Sequence, residues 1–479
     1  MLRARYVPCR PHFTSVNLQA AVDGTGPVRL FKKPMMKRRT VIKNTFVTAL
    51  SVCTLGLLGA YRQREVLGTP LRVNEARMVA RVAELAKFGQ DDRGHGYRVA
   101  YTKGDIAGRA WFMAQMKQAG LDPAIDAAGN IIGKRKGKNP ALKPIAFGSH
   151  IDMVPDGGNY DGPLGSLGAL EVIDVLNEHK ILTEHPLEVI IFANEEGGTV
   201  GSMAMAGGLT TAGLQQKSQS GPTMAEGIRA IGGNPDNIQS AVRKRGDLRA
   251  WLELHIEQGG ILAQENVQIG VVEGIVGIVH WEVTVEGMAN HAGTTPMNAR
   301  QDALLAAARL VVAVNEVITA APGNQVGTVG KLAVTPSAYN VIPGKVVLGL
   351  EIRDLSADKI ETLFQEIERR GAAIAAASHT TIRFDRQANA SKPALTDKAL
   401  QQTVQASAKA LGLSTKLMQS GAGHDSQEIA AIAPVAMIFV PSVRGISHSP
   451  QELTKPGDLA NGANVLLQTI LSIDKAKEQ

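Results

Sequence analysis

Cysteine is almost missing from this chain: there are two in 479 residues, Cys9 and Cys53. Everything beyond them can hold neither a disulfide framework nor a thiolate-bound zinc, so a metal there has to be held by His, Asp and Glu. Aromatics are scarce at 4%, which argues against the stacking platforms that nucleic acid binding needs. The formal charge of +7 belongs largely to the Arg- and Lys-rich first 72 residues. It describes a leader more than a folded body and says little about an acidic partner. The only apolar run near the N-terminus is interrupted by Thr, Ser and Gly and is short for a membrane span, so no permanent span is expected in the mature chain.

That leader has a readable pattern over 35–60. "MMKRRTVIKNTFVTALSVCTLGLLGA" starts basic, pairs Arg38 with Arg39, and continues into a moderately apolar stretch ending at Ala60. It resembles a twin-arginine export signal, which implies a periplasmic or exported protein. The alternative is a basic tail on a cytoplasmic enzyme. Residues 1–70 are therefore set apart as a leader, and the remaining length can bury a large core in two domains.

From residue 71 the body alternates helices and strands. "NEARMVARVAELAKFG" has helical spacing, with Asn74 as N-cap and Gly89 as stop. "KGDIAGRAWFMAQMKQAGL" is a second helix, and "DPAIDAAGNIIGKRKG" reads as two strands around the Gly129-Asn130 turn. "KPIAFGSHIDMVPDGGNYDGPLGSLGALEVIDVL" then reads as strand, acidic loop and helix, the loop carrying His150, Asp152 and Asp161. In open α/β sheets ligands bind at the carboxyl ends of strands. Taken alone, a His-x-Asp loop is more commonly a solvated polar cluster.

The placement repeats, however. "HPLEVIIFANEEGG" is an apolar strand followed by Glu195 and Glu196, "DLRAWLELHIEQGGIL" ends in His255, Glu257 and Gln258, and "APVAMIFVPSVRGISHSPQE" runs into a loop with His448. Four such strand ends could meet on one sheet edge. His150, Asp161, Glu196, His255 and His448 would then supply ligands for two divalent ions if Asp161 bridges them. Such a pair polarises a carbonyl and provides hydroxide at neutral pH. Glu195, pointing away from its neighbour, would take the water proton and pass it to a leaving nitrogen. Asp152 would orient the His150 ring.

The segments GSHIDMVPDGGNYDGPLG, ANEEG, LELHIEQG, NHAGTTPM, SGAGHDS and SHSPQE, spread in order over about 71–475, resemble the N-carbamoyl-L-amino acid hydrolase and allantoate amidohydrolase group of the dizinc aminoacylase and carboxypeptidase family. The resemblance implies an α/β fold: a mixed-sheet dizinc exopeptidase-like catalytic domain, 71–262 and 378–479, with an inserted ferredoxin-like α+β lid and dimerisation domain, 263–377. Its β-α-β-β-α-β order is legible from "VHWEVTVEG" to "TTIRFDR". The resemblance also implies that His150, Asp161 and His255 hold one ion and Asp161, Glu196 and His448 the other. Glu195 is then the general base and Asp152 the orienting acid. His291 would reach the partner subunit's site to stabilise the oxyanion. Asn340 and Arg353 would grip the substrate carboxylate, with Gln258 and Gly421 completing the contacts.

His255 stands where many relatives carry an acid, which is similar to the ureide-hydrolysing branch. His280 departs from the allantoate-cleaving pattern, which tends to place arginine close by. His424 and Asp425 read as shaping the site beside Gly421. His95, His179, His185 and His379 lack sequence partners and read as surface residues. The expectation is a homodimeric amidohydrolase with two divalent ions per subunit (Zn, or Mn, Co or Ni), acting on a small carbamoyl amino acid or ureide. The alternatives are allantoate cleavage, N-acyl amino acid hydrolysis, or a metal-binding relative without catalysis. The last is disfavoured because base, orienting acid and all five ligands occur together.

Overall fold

A computed structural model describes residues 70–388 and 390–476. The leader and its signal at 35–60 lie outside these residues.

The main element is a nine-stranded mixed sheet. Its strands are β1 (Asp122–Ile125), β2 (Ile131–Arg135), β3 (Ile145–His150), β4 (Leu187–Phe192), β5 (Ala250–Ile256) and β6 (Ile269–Ile275). Later in the chain come β13 (Ala394–Leu395), β14 (Thr415–Ser420) and β15 (Val435–Val440). The order across the sheet is β1-β2-β4-β3-β5-β15-β6-β13, with β14 also pairing β6. The central strands β4, β3, β5 and β15 are mutually parallel. Their residues are buried throughout, as expected of parallel strands covered on both faces. Because they run the same way, all four carboxyl ends open on one edge. The expected hairpin is present: β1 and β2 pair antiparallel, with Gly129 at φ +90° in the connecting turn.

The helix Pro163–Glu178 lies against β3 and β5 and is almost wholly buried. Gly165 explains how closely it approaches, since a Cβ there would stand 2.1 Å from the Leu254 carbonyl oxygen. The helix Glu75–Leu85 is capped by Asn74, whose side chain accepts from the Arg77 amide. It is tied to the buried helix through Glu171, which receives Arg77 at 2.6 and 2.7 Å and Arg81 at 3.2 Å. Such charge-assisted bonds satisfy a carboxylate that is fully buried.

A second sheet is formed by β7 (Gly277–Glu286), β9 (Val326–Thr335), β11 (Lys345–Asp354) and β12 (Thr381–Arg386), in the order β12-β7-β11-β9 and antiparallel throughout. The helices Ala303–Ala320 and Ala357–Ser378 pack on one face. Alternation along β11 sends Val346, Leu348, Leu350 and Ile352 towards them and leaves Gly349, Glu351 and Arg353 on the open face. Trp281 stacks on Phe364 with ring centroids 4.3 Å apart. This is the ferredoxin-like order, with boundaries shifted from 263–377. Ile269–Ile275 pairs within the main sheet, and Thr381–Arg386 completes the second. A two-stranded ribbon, β8 (Asn290–His291) with β10 (Val341–Ile342), accompanies it. His185 is another correction: it is buried, with Nδ1 2.8 Å from the Lys143 carbonyl.

Candidate metal centre

His150 is the last residue of β3 and His255 the sixth of β5's seven. Both rings are fully buried. Each Nδ1 rests on a backbone carbonyl, that of Asp152 at 3.1 Å for His150 and of Ile256 at 3.0 Å for His255. Each Nδ1–H is thereby held by a carbonyl and Nε2 points inward, able to offer its lone pair when the ring is neutral. Neither Nε2 has a hydrogen-bond partner.

Asp161 meets them from the loop after β3. Its Oδ1 stands 3.3 Å from His255 Nε2 and 3.8 Å from His150 Nε2, while Oδ2 stands 3.3 Å from His448 Nε2. Glu196 completes the second cluster, 3.5 Å from His448 Nε2, with its Oε1 buried and unpartnered. Two groups result, His150-Asp161-His255 and Asp161-Glu196-His448, each with donor atoms within 4.8 Å of one another. Unpartnered buried imidazole and carboxylate atoms around a shared Asp are the donor set of divalent transition ions. The residues fit two such ions, with Asp161 serving both.

Backbone geometry builds the cluster. Gly162 adopts φ +78°, and a Cβ there would fall 2.2 Å from the His150 ring. Asn194 turns at φ +54° just after β4, so it is this turn, rather than strand pleating, that parts the two glutamates. Glu195 lies 3.7 Å from His150 Nε2 while Glu196 faces His448. Such left-handed non-glycine residues are stored strain of the kind found at functional sites.

Electrostatics follow from a crowd of buried acids around His150 and His255, with His448 half exposed at its edge. Burial raises Glu195 well above the usual carboxylate range, helped by Asp425, Glu196 and Asp161. Burial and then Asp161 push Glu196 up to about 8. Burial also opposes ionisation of Asp161, but His255 and His448 together outweigh it and hold this carboxyl well below its ordinary value. Burial takes His150 down to about 4. His255 is likewise pulled down by burial, yet the Asp161 carboxylate holds it at about 9. Asp161 raises His448 to about 9 against its partial burial.

Asp152 acts differently from expectation. Its carbonyl, not its carboxylate, holds the His150 ring, and Oδ1 is 3.7 Å from Nδ1. The carboxylate instead accepts from the amides of Glu195 at 3.4 Å and Glu196 at 3.2 Å. One residue thus orients a ligand and the acid pair. Gln258 donates to Asp161 Oδ2 at 2.6 Å and joins the centre. Gly421 receives Arg353 Nη1 on its carbonyl at 2.6 Å. His291 and Asn340 are exposed on the β8/β10 ribbon and do not join the cluster within this chain. The His291 Nδ1 accepts from the Gly293 and Thr294 amides, which leaves its proton on Nε2.

Sequence reasoning passed over Glu452. Its Oε1 accepts from the Tyr160 and Asp161 amides at 2.8 and 3.1 Å, and Oε2 receives Ser447 at 2.9 Å. It lies four residues after His448, and that spacing was the available signal. His424, read from the sequence as shaping the site beside Gly421, is edge-on to His255, centroids 4.4 Å apart, with Nε2 on Ser420. A separate surface grouping, Asp91-His95-Asp156, already has Arg93 between its acids.

A parallel-edge pocket of this composition, with a base-type carboxylate beside it, belongs to metal-using hydrolases of the α/β type. The chain belongs to Peptidase family M20/M25/M40, whose pattern matches residues 146–472. It is an amidohydrolase within that family. It is 38% identical over 399 residues to an N-carbamoyl-L-amino acid amidohydrolase of Geobacillus stearothermophilus, covering 82% of this chain and 97% of the relative. A ureidoglycolate hydrolase of Arabidopsis thaliana is 38% identical over 422 residues, covering 85% and 89%. The crystal structure of an amidase of the hydantoinase/carbamoylase family from Burkholderia multivorans superposes with TM-score 0.79 at 38% identity, covering 84% of this chain and 98% of that one.

Proposed function

We propose that the chain hydrolyses the carbamoyl C–N bond of N-carbamoyl-L-amino acids. The observation that carries this reading is Asp161, whose two oxygens face separate histidine sets. His150, Asp161 and His255 would hold one divalent ion and Asp161, Glu196 and His448 the other. The ions would supply Lewis acidity that polarises the ureide carbonyl and acidifies water. Glu195 takes the proton from the attacking water and delivers it to the leaving nitrogen as the C–N bond breaks. The carbamic acid product falls apart to ammonia and carbon dioxide. Asp152 keeps the Glu195 and Glu196 amides in register with His150. Arg353, with Asn340, receives the substrate α-carboxylate, for which a guanidinium fork is well shaped.

Carbamoyl amino acids are favoured over allantoate because His280 is engaged with Glu351 and presents no guanidinium to a second ureide. The four-stranded unit is read as lid and dimerisation domain, with His291 of one subunit donating from Nε2 to the oxyanion in the other. Export by the 35–60 signal completes the proposal.

The test is turnover of N-carbamoyl amino acids, allantoate, ureidoglycolate and N-acetyl amino acids in parallel, with Zn²⁺, Mn²⁺, Co²⁺ or Ni²⁺ added. Preference for allantoate or acetyl substrates would replace the carbamoyl reading. Absence of turnover on all four would end it. Mixing His291→Ala with Glu195→Gln subunits tests the shared site, because a mixed dimer regains one complete site; no recovered activity would refute the crossing of subunits.

A further inference from the structure

On the open face of the second sheet, His280 and Glu351 are direct cross-strand partners between β7 and β11. Arg353 follows Glu351 on the same face. His280 Nε2 lies 2.8 Å from Glu351 Oε2. Glu351 grips Arg353 side-on, Oε1 to Nε at 2.6 Å and Oε2 to Nη2 at 3.1 Å. The Gly421 carbonyl of the main sheet takes Nη1.

A guanidinium has five N–H donors in a rigid plane. Glu351 uses the Nε and one Nη2 hydrogen, and Gly421 uses one on Nη1. One hydrogen is left on each Nη, two donors that a carboxylate can take. Nothing else described on this face fixes the guanidinium plane. A cavity of about 370 Å³ is bordered by His280, Glu351 and Gln387, on the side of the network away from Arg353's own contacts.

We propose that Glu351, backed by His280, is the positioning residue that presents the two remaining Nη donors of Arg353 to the substrate carboxylate. This rests on the reading that Arg353 receives that carboxylate. An ion pair that merely staples two strands would alter stability and leave substrate affinity alone. A positioning role alters KM, and only for substrates carrying the carboxylate.

The experiment uses the full metal-loaded enzyme, an N-carbamoyl amino acid and the same compound with its carboxylate converted to carboxamide. Glu351→Gln is expected to raise KM for the acid by about tenfold, the loss of one charge-assisted contact, with kcat little changed and the amide unaffected. His280→Gln is expected to give a smaller rise of about two- to fivefold, since it touches Arg353 only through Glu351. Arg353→Leu is the reference. If it raises KM for the acid while neither Glu351→Gln nor His280→Gln does, the positioning role is wrong and the carboxylate reading stands. If Arg353→Leu leaves KM unchanged, both fall. Should Glu351→Gln give no folded protein, His280→Gln decides by the same criterion. Calorimetric binding of the product amino acid gives the comparison without turnover.

Discussion

Asp161 Oδ2 stands 3.3 Å from His448 Nε2, joining the loop after β3 to the loop after β15, nearly three hundred residues later in the chain. Because Oδ1 of the same carboxylate faces His255, neither cluster is complete without Asp161. Asp161→Asn should therefore lower bound metal from two ions per subunit to one or none and cut turnover by at least about a hundredfold. Metal analysis after dialysis, read beside kcat, checks this. Retention of two ions would disprove the shared carboxylate.

Metal capture should release protons. Without metal, His255 and His448 are held at about 9 and Glu196 at about 8, so all three carry protons at neutral pH, and a cation needs them deprotonated. Raising the pH removes the competitor, so apparent affinity should climb steadily through neutral pH and level off only about one unit above the histidine values, at about pH 10. Titration calorimetry in two buffers of different ionisation enthalpy measures the protons released; a count of zero contradicts the assignment.

Glu195→Gln should separate base from ligand. The amide keeps the size of the side chain but takes no proton, so kcat should fall about 10²- to 10⁴-fold with metal content unchanged. Intact turnover would show that another group serves as base.

Gly162→Ala should disturb the centre without replacing any ligand. The new methyl falls on the His150 ring and the backbone is left-handed there, a combination that costs roughly 1–3 kcal/mol. A lower unfolding midpoint together with weaker metal binding is expected. Unaltered metal affinity would mean that His150 tolerates displacement.

The ligand-bearing strands were legible because burial and chain direction leave a local trace: an apolar run of six or seven residues that stops at His or Glu. His150, His255 and, a short turn later, Glu196 follow that rule, whereas His448 lies further on, in the loop after β15. Glu452 is less legible, since the Tyr160 and Asp161 amides it accepts from are brought near only by the fold, and so is Glu351's contact with His280 across strands. The inserted unit's limits were misplaced for a similar reason. "IGVVEGI" (Ile269–Ile275) reads as a strand in either sheet, and only its pairing with β14 and β15 decides between them. Asp152 shows a third kind of miss: its spacing from His150 is right, but whether carbonyl or carboxylate meets the ring depends on one backbone turn.

The shared edge of β3, β4, β5 and β15 also has a consequence for biogenesis. A nascent chain carries His150 and Asp161 early but acquires His448 only after the whole second sheet has been synthesised. The set His150-Asp161-His255 is thus complete in the chain before the second sheet is made, whereas the set Asp161-Glu196-His448 waits for the last strand.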